Sequence, residues 1–359
     1  MEKIKIGITI GDINGVGPEV IIKALSNPKM LDFCTPIIYG SSKVVAYHKN
    51  IVNIDFPFQS IKEADQAVDG QINIVNCWQD AVNITLGKLS ESGGKYAMIA
   101  LDDAIADLKN GHIDAVVTAP INKKAMQMSG FAYPGHTELF NHEFGNPESV
   151  MLLTNDSLRI GLVTNHLPIA EVAKAITKER LLKKMRSLHE TLRIDFGIDK
   201  PTIAVLGLNP HAGDEGALGN EELTIIRPAI EEAKNKGALI FGPFSADGFF
   251  GSGQHTKFDA ILAMYHDQGL IPFKAISFGS GVNYTAGLPI VRTSPDHGTA
   301  YDIAGQNLAD ETSMRKAIFA AIDIVKSRKA YTEDRANAIK SHSKSKSLKE
   351  GVDEVLRHN

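Results

Sequence analysis

The sequence is short of cysteine, tryptophan, long apolar runs and net positive charge, and each shortage excludes a class of protein. Cys34 and Cys77 are too few and too far apart for a zinc–thiolate pattern, and two free thiols suit a reducing compartment. No run approaches the length that spans a bilayer, and the opening MEKIKIGITIGD goes straight into a strand-like pattern with no signal-peptide core. The expectation is a cytoplasmic protein with no membrane partner. The 38 Lys and Arg stand against 42 Asp and Glu, a formal net charge of −4, and the only basic run is at the C-terminal end. That balance leaves no electrostatic footprint for nucleic acid. No internal repeat is present, and no GxGxxG turn follows a strand-like run, so a Rossmann cofactor site is not supported.

What is present is a 359-residue chain with 43% apolar residues, enough for a large core and for two domains. Short apolar runs alternate with helix-like segments, the pattern of a mostly parallel sheet with helices on its faces, so the class is α/β. Strand candidates are 4–10, 36–40, 72–75, 114–119, 150–154, 158–164, 202–208, 238–242 and 259–265. Pro18 stands at the first position of a helix after the Gly-rich turn GDINGVG. Further helices are expected at 95–110, 137–144, 169–190, 221–236 and 311–328, the fourth interrupted by Pro228 and closed by Gly237. After Lys329 the texture turns polar, and SHSKSKSLKEG (341–351) reads as a tail.

Three strand candidates end in an imidazole: LRIGLVT leads to His166, TIAVLGL to His211 and DAILAMY to His266. Ligand crevices of open parallel sheets lie at the carboxyl ends of strands. The three rings are therefore either separate strand caps or ligands of one divalent ion, with a three-His set suiting Zn²⁺ or Co²⁺ better than Mg²⁺. In YPGHTELFNHEFG, Thr137 beside His136 can cap a helix whose free amides attract an anion, although Thr caps are common. The segment 274–305 shows little hydrophobic periodicity and reads as a long loop carrying Lys274, Asn283, Arg292, Asp296 and His297 among glycines. Lys274 and Arg292 suit a carboxylate or phosphate, or are surface ion pairs.

GDINGVGPE (11–19) resembles the opening of isopropylmalate and isocitrate dehydrogenases, whose nicotinamide cofactor is held without the Rossmann fingerprint. That resemblance implies cofactor contacts at Gly11, Asp12, Gly15 and Gly17. The segments TAPINKKAM, GHTE, GLNPHAGDEGALGNEE, GPFSAD, AMYHDQGLIPFK and GVNYTAGLPIVRTSPDHGTAYDIAG together resemble the 4-hydroxythreonine-4-phosphate dehydrogenase family of vitamin B6 synthesis, to about residue 329. The chain departs from the family pattern at Ile13–Asn14 and in its tail.

The resemblance implies a two-domain fold of the isocitrate/isopropylmalate dehydrogenase type. The first domain would be 1–132 plus 280–329 and the second 133–279, followed by a polar tail over 330–359. It also implies a homodimer with the site in the interdomain cleft at the subunit interface. Metal ligands fall on His166, His211 and His266, shared across the dimer; substrate contacts fall on His136, Thr137, Lys274, Asn283 and Arg292. The implied reaction oxidises the C3 hydroxyl of 4-(phosphooxy)-L-threonine with NAD or NADP, and the β-keto acid then loses CO₂. A divalent metal (Zn, Co or Mg) would lower the hydroxyl pKa and polarise the ketone. Asp247 and Asp267, in loops near strand ends, are the candidate proton acceptors. The rivals are a paralogue acting on a phosphorylated four-carbon sugar acid, a coenzyme A-dependent acyltransferase and a non-catalytic metabolite binder.

Overall fold

The computed structural model describes residues 3–337, apart from 146–148 and 278. Its strands are β1 (Lys5–Thr9), β2 (Thr35–Gly40), β3 (Gln59–Ile61), β4 (Asn73–Asn76), β5 (Ala115–Thr118), β6 (Val150–Thr154), β7 (Arg159–Leu162), β8 (Thr202–Leu206), β9 (Leu239–Phe244), β10 (Ala260–Ala263), β11 (Val282–Ala286) and β12 (Val291–Pro295). They form one 12-stranded sheet in the order β3-β4-β2-β1-β5-β12-β11-β6-β7-β10-β8-β9. Each strand read from the sequence appears within two residues of its expected ends. Except for the edge strand β9, where Leu239 and Phe241 are exposed, these strands are apolar and mostly buried on both faces, as helix-covered parallel strands are.

The sheet is two parallel blocks of opposite direction. β3, β4, β2, β1, β5 and β12 run parallel, as do β7, β10, β8 and β9. Between them β12, β11, β6 and β7 pair antiparallel in succession. Residues of both expected domains thus share a continuous sheet, with β11 bonded to β12 on one side and to β6 on the other. The main core spans both blocks; a smaller cluster around Leu153, Ile160, Leu206, Phe249, Ile261 and Phe273 belongs to the second.

Several expectations need correction. The presumed long loop 274–305 contains β11 and β12, two strands at the centre of the sheet. Their alternate positions carry Asn283, Arg292 and Ser294, so the apolar alternation that marks a strand is missing. His266 opens a helix, His266–Ser277, with Pro272 inside it, and Lys274 lies in its last turn. The helix expected at 169–190 is two helices, Ile169–Ala175 and Lys178–Ile194, the second capped by Thr177 accepting from the Arg180 N–H. The region 221–236 starts as a π turn, Glu222–Ile226, and becomes α-helical at Arg227–Asn235 with Pro228 in its first turn. The last helix runs from Thr312 to Ala336, past the expected start of the tail, and 341–351 lies outside the described residues. No helix among the described residues is long and apolar enough to cross a membrane.

Candidate active site

A cavity of about 260 Å³ lies against the sheet where its direction reverses. Side chains of Thr118, Met151, Asn283, Arg292 and Ser294 line it, one or two from each of β5, β6, β11 and β12. Register explains the convergence. Asn283 is paired with Ser294, Thr285 with Met151, and Arg292 with Val116 two residues before Thr118, and paired or alternate residues share a face.

Arg292 is the largest fully buried side chain, 2% exposed. Its Nε and Nη2 donate to Thr118 Oγ1 at 3.1 and 2.6 Å, its Nη1 donates to Thr285 Oγ1 at 3.1 Å, and its guanidinium lies 5.9 Å from the Phe140 ring centroid. Among the described residues it has no ion pair. Burial pushes its pKa down to about 10, with Glu138 acting in the opposite direction. An isolated buried cation is costly unless something pairs with it, so this arginine is built to meet an anion.

Above the strands sits the helix His136–Glu143. Thr137 does not cap it: the N-cap is Gly135, in extended backbone, and Thr137 is buried in the first turn. The motif's glycine takes the cap position, and the first-turn amides still face the cavity side through Gly135, His136 and Thr137. His136 Nε2 is buried without a hydrogen-bond partner. Burial, then Arg292 and Lys123, hold this imidazole well below its usual pKa, so it is neutral. Asn283 Oδ1 and His297 Nε2 are likewise buried and unpartnered. These three residues line the same cavity, where their polar atoms could meet a polar ligand.

Two of the three strand-end histidines converge. His166 and His266 have ring centroids 5.6 Å apart, because β7 and β10 are parallel neighbours and their carboxyl ends share an edge. Asp267 holds His266 through its Nδ1 at 2.7 Å, which turns Nε2 outward. His166 Nδ1 stands 3.9 Å from Glu138 Oε1, and His166 holds that carboxyl below the usual range. His211 does not join them: among the described residues no three His, Cys, Asp or Glu side chains of one chain are placed to hold a metal.

His211 instead sits at the start of a left-handed turn in which His211, Ala212, Gly213, Asp214 and Glu215 all have positive φ. Such a run is costly for non-glycine residues and marks a turn fixed by its surroundings. Glu222, 1% exposed, fixes it, its carboxylate accepting from the Leu208 and Asn209 N–H groups at 2.7 Å and from Asn209 Nδ2 at 2.9 Å. Asp247 is exposed, and its carboxyl is kept below the usual range first by Ser245, with His211 also contributing.

Of the expected proton acceptors, Asp267 is bonded to His266 and Asp247 to Ser245, and neither lines the cavity. Lys274 reaches the cavity and makes a 3.6 Å ion pair with Asp296, whose carboxyl is pushed up by burial. Gly11, Asp12, Gly15 and Gly17 are all buried. Gly11 has φ +71°, and a Cβ there would stand 2.5 Å from the Pro120 carbonyl oxygen. A Cβ at Gly15 would stand 2.8 Å from the Thr299 carbonyl oxygen. In the chain as folded this turn packs against, and clamps, the neighbouring loops that carry Pro120 and Thr299.

Asp12 is the clamp's centre. It accepts from the Asn14 N–H at 2.9 Å and from Tyr301 Oη, while burial pushes its carboxyl up. Val16 N donates to Thr299 O, so the loop after His297 is fastened to the β1 turn. Tyr301→Phe leaves the buried carboxylate one donor short, and should lower unfolding free energy by about 1–3 kcal/mol. Urea denaturation measures this; an unchanged midpoint and slope would show that the clamp carries no stability. Thr118, Glu138, Glu222 and Tyr301 were not singled out from sequence, since isolated Thr, Glu and Tyr residues carry no spacing signal.

The comparisons with known proteins agree with this geometry. Residues 32–321 match the family model described as pyridoxal phosphate biosynthetic protein PdxA. A Bacteroides thetaiotaomicron protein named 4-hydroxythreonine-4-phosphate dehydrogenase is 52% identical over 94% of this chain and 93% of its own length. A provisionally named D-threonate 4-phosphate dehydrogenase of Oceanobacillus iheyensis is 40% identical over 89% of this chain and 97% of its own. The crystal structure of 4-hydroxythreonine-4-phosphate dehydrogenase from Klebsiella pneumoniae is similar with a TM-score of 0.80 at 33% identity, covering 90% of this chain and 98% of that one. A buried unpaired arginine, a histidine pair and a match of this extent lead to one conclusion: the chain belongs to the pyridoxal phosphate biosynthetic protein PdxA family.

Proposed function

We propose that the chain is an NAD- or NADP-dependent dehydrogenase that oxidises the C3 hydroxyl of 4-(phosphooxy)-L-threonine, the product then losing CO₂ to leave 3-amino-2-oxopropyl phosphate for pyridoxal phosphate synthesis. The observation that carries this reading is the buried Arg292, without a counter-ion, in the same cavity as His166, Lys274 and Asn283. Oxidation sends the C3 hydride to the nicotinamide and the hydroxyl proton to a base. Decarboxylation then breaks the bond to the carboxylate, its electron pair moving toward the new carbonyl, and the carbon that lost CO₂ takes up a proton to give the ketone.

The protein's own groups have separable tasks. Arg292 and Lys274 bind and orient the substrate's anionic groups. His136, neutral, offers a hydrogen bond without adding charge. Asn283 supplies a free carbonyl oxygen and Thr137 a first-turn hydroxyl and amide. Asp267 orients His266, and we assign it as a positioning carboxylate; Asp247, whose carboxylate accepts from Ser245 and feels the charge of His211, stays the candidate proton acceptor. A divalent ion suits this donor set, with His166 and His266 of one chain and His211 of a second copy as its ligands; when bound, it supplies Lewis acidity to the alcohol and ketone oxygens.

The O. iheyensis relative supports a second reading, in which the substrate is a phosphorylated four-carbon sugar acid such as 4-phosphothreonate or 4-phosphoerythronate. The test is reduced-nicotinamide absorbance with 4-(phosphooxy)-L-threonine and with 4-phosphothreonate, each with and without a chelator. Turnover of the amino acid, abolished by chelation and restored by Zn²⁺ or Co²⁺, is expected. Preference for the sugar acid would replace the first reading with the second, and rates indifferent to chelator would remove the metal.

A further inference from the structure

The charge balance of the cavity is completed by a residue with no assigned part. Five charged side chains line it: Lys123, Lys274 and Arg292 against Glu138 and Asp296, a surplus of one positive charge. Asp296 is engaged by Lys274 at 3.6 Å and Glu138 lies 3.9 Å from His166. Lys123, among the described residues, has no hydrogen bond and no ion pair, although its charge helps hold the Glu138 carboxyl below the usual range. From where a Cβ on Gly135 would stand, Glu138 Oε2 is 3.3 Å and Lys123 Cε 3.7 Å away, which puts the lysine beside the first turn of the helix His136–Glu143. Arg292 and Lys123 are the two cations felt by His136, and all three line the same cavity.

The backbone of Lys123 is fixed. Asn122 Oδ1 accepts from the Lys124 and Ala125 N–H groups at 2.9 and 3.0 Å, starting the short helix Lys123–Met128. That helix is pressed onto Glu91–Asn110 at Gly94, where any Cβ would collide with the Ala125 backbone. A flexible lysine on a rigid base beside an unpaired arginine is suited to a tetrahedral, doubly charged group, which has oxygens enough for both cations.

Resting on the phosphorylated-substrate reading above, we propose that Lys123 is a further cationic contact for the substrate's phosphate, acting with Arg292 and the imidazole of His136 at the start of the helix His136–Glu143. Lys274, held by Asp296 at the other side, serves the remaining polar end of the substrate.

The test uses the full chain and its variants K123M and K123R. Isothermal titration with inorganic phosphate is read first, then KM and kcat with the phosphorylated substrate. K123M should weaken phosphate binding by about 10-fold or more, the usual weight of a charge-assisted hydrogen bond. K123R should keep most of the affinity, and KM should move more than kcat. K123M binding phosphate as tightly as wild type, while wild type binds and turns over the phosphorylated substrate, overturns the Lys123 assignment alone. K123R as weak as K123M also overturns it, because charge would then not be what matters. Wild type that binds neither inorganic phosphate nor the phosphorylated substrate overturns both this assignment and the reading on which it rests.

Discussion

Arg292→Met should abolish substrate capture at a limited cost in stability. The two expectations come from the same observation. In the free protein the guanidinium is fully buried, held by two threonine hydroxyls and one aromatic face, with no carboxylate at ion-pair distance among the described residues and only Glu138 near enough to act on its charge. Burial holds its pKa down at about 10, which amounts to roughly 3 kcal/mol of unfavourable environment for the cation. A methionine of similar length removes that cost and forfeits three hydrogen bonds to two hydroxyls, each worth about 1.5–3 kcal/mol when one partner is charged. The gain offsets part of the loss, so the urea midpoint should fall by less than the loss of three such bonds alone would give. Binding is different, because an anion pairing with a desolvated cation is worth about 2–5 kcal/mol, roughly 30- to 4,000-fold in kcat/KM. Steady-state kinetics and denaturation of the same preparation decide the matter. A variant that loses stability by more than about 3 kcal/mol and keeps its kcat/KM would make Arg292 a structural cation.

How much of this was legible in the sequence differs by layer. The parallel blocks were, because helix-covered strands such as β1, β5, β8 and β10 are near-continuous apolar runs between turn residues. The seam was not. β11 and β12 carry Asn283, Thr285, Arg292 and Ser294 on the face turned to the cavity, so the positions that make the site are the ones that erase the strand pattern. The same trade hid Arg292's setting. A lone arginine among glycines reads as an anion contact or a surface ion pair, and only the pairing of β12 with β5 shows that it is buried against Thr118. His166 and His266 were readable as partners from the strands they follow. The displacement of His211 was not, because a five-residue left-handed turn held by Glu222 leaves no trace in NPHAGDEG beyond its glycines. The opening GDINGVGPE was recognisable as a special turn, but its glycines and Asp12 face other backbone and Tyr301, which no local signal reveals.

The isolation of His211 leads to the second large effect. His166 and His266 lie together, yet among the described residues of one chain no third ligand completes a set, and His211 stands exposed on a turn whose backbone is expensive to hold. If the set is completed by a second copy in a two-fold dimer, each of two sites takes His166 and His266 from one chain and His211 from the other. His211→Ala alone and His266→Ala alone should then each reduce turnover by about 10³-fold or more and empty both sites of metal, since two imidazoles hold a divalent ion weakly. Mixing the two inactive variants after reversible dissociation should restore activity. In a mixed dimer one site carries both substitutions and the other carries none, so random exchange should return about one quarter of wild-type activity and metal content. Analytical ultracentrifugation verifies that exchange has occurred, and elemental analysis reads the metal independently of turnover. Exchanged dimers that remain inactive and metal-free would place all three ligands within a single chain, or exclude His211 from the set.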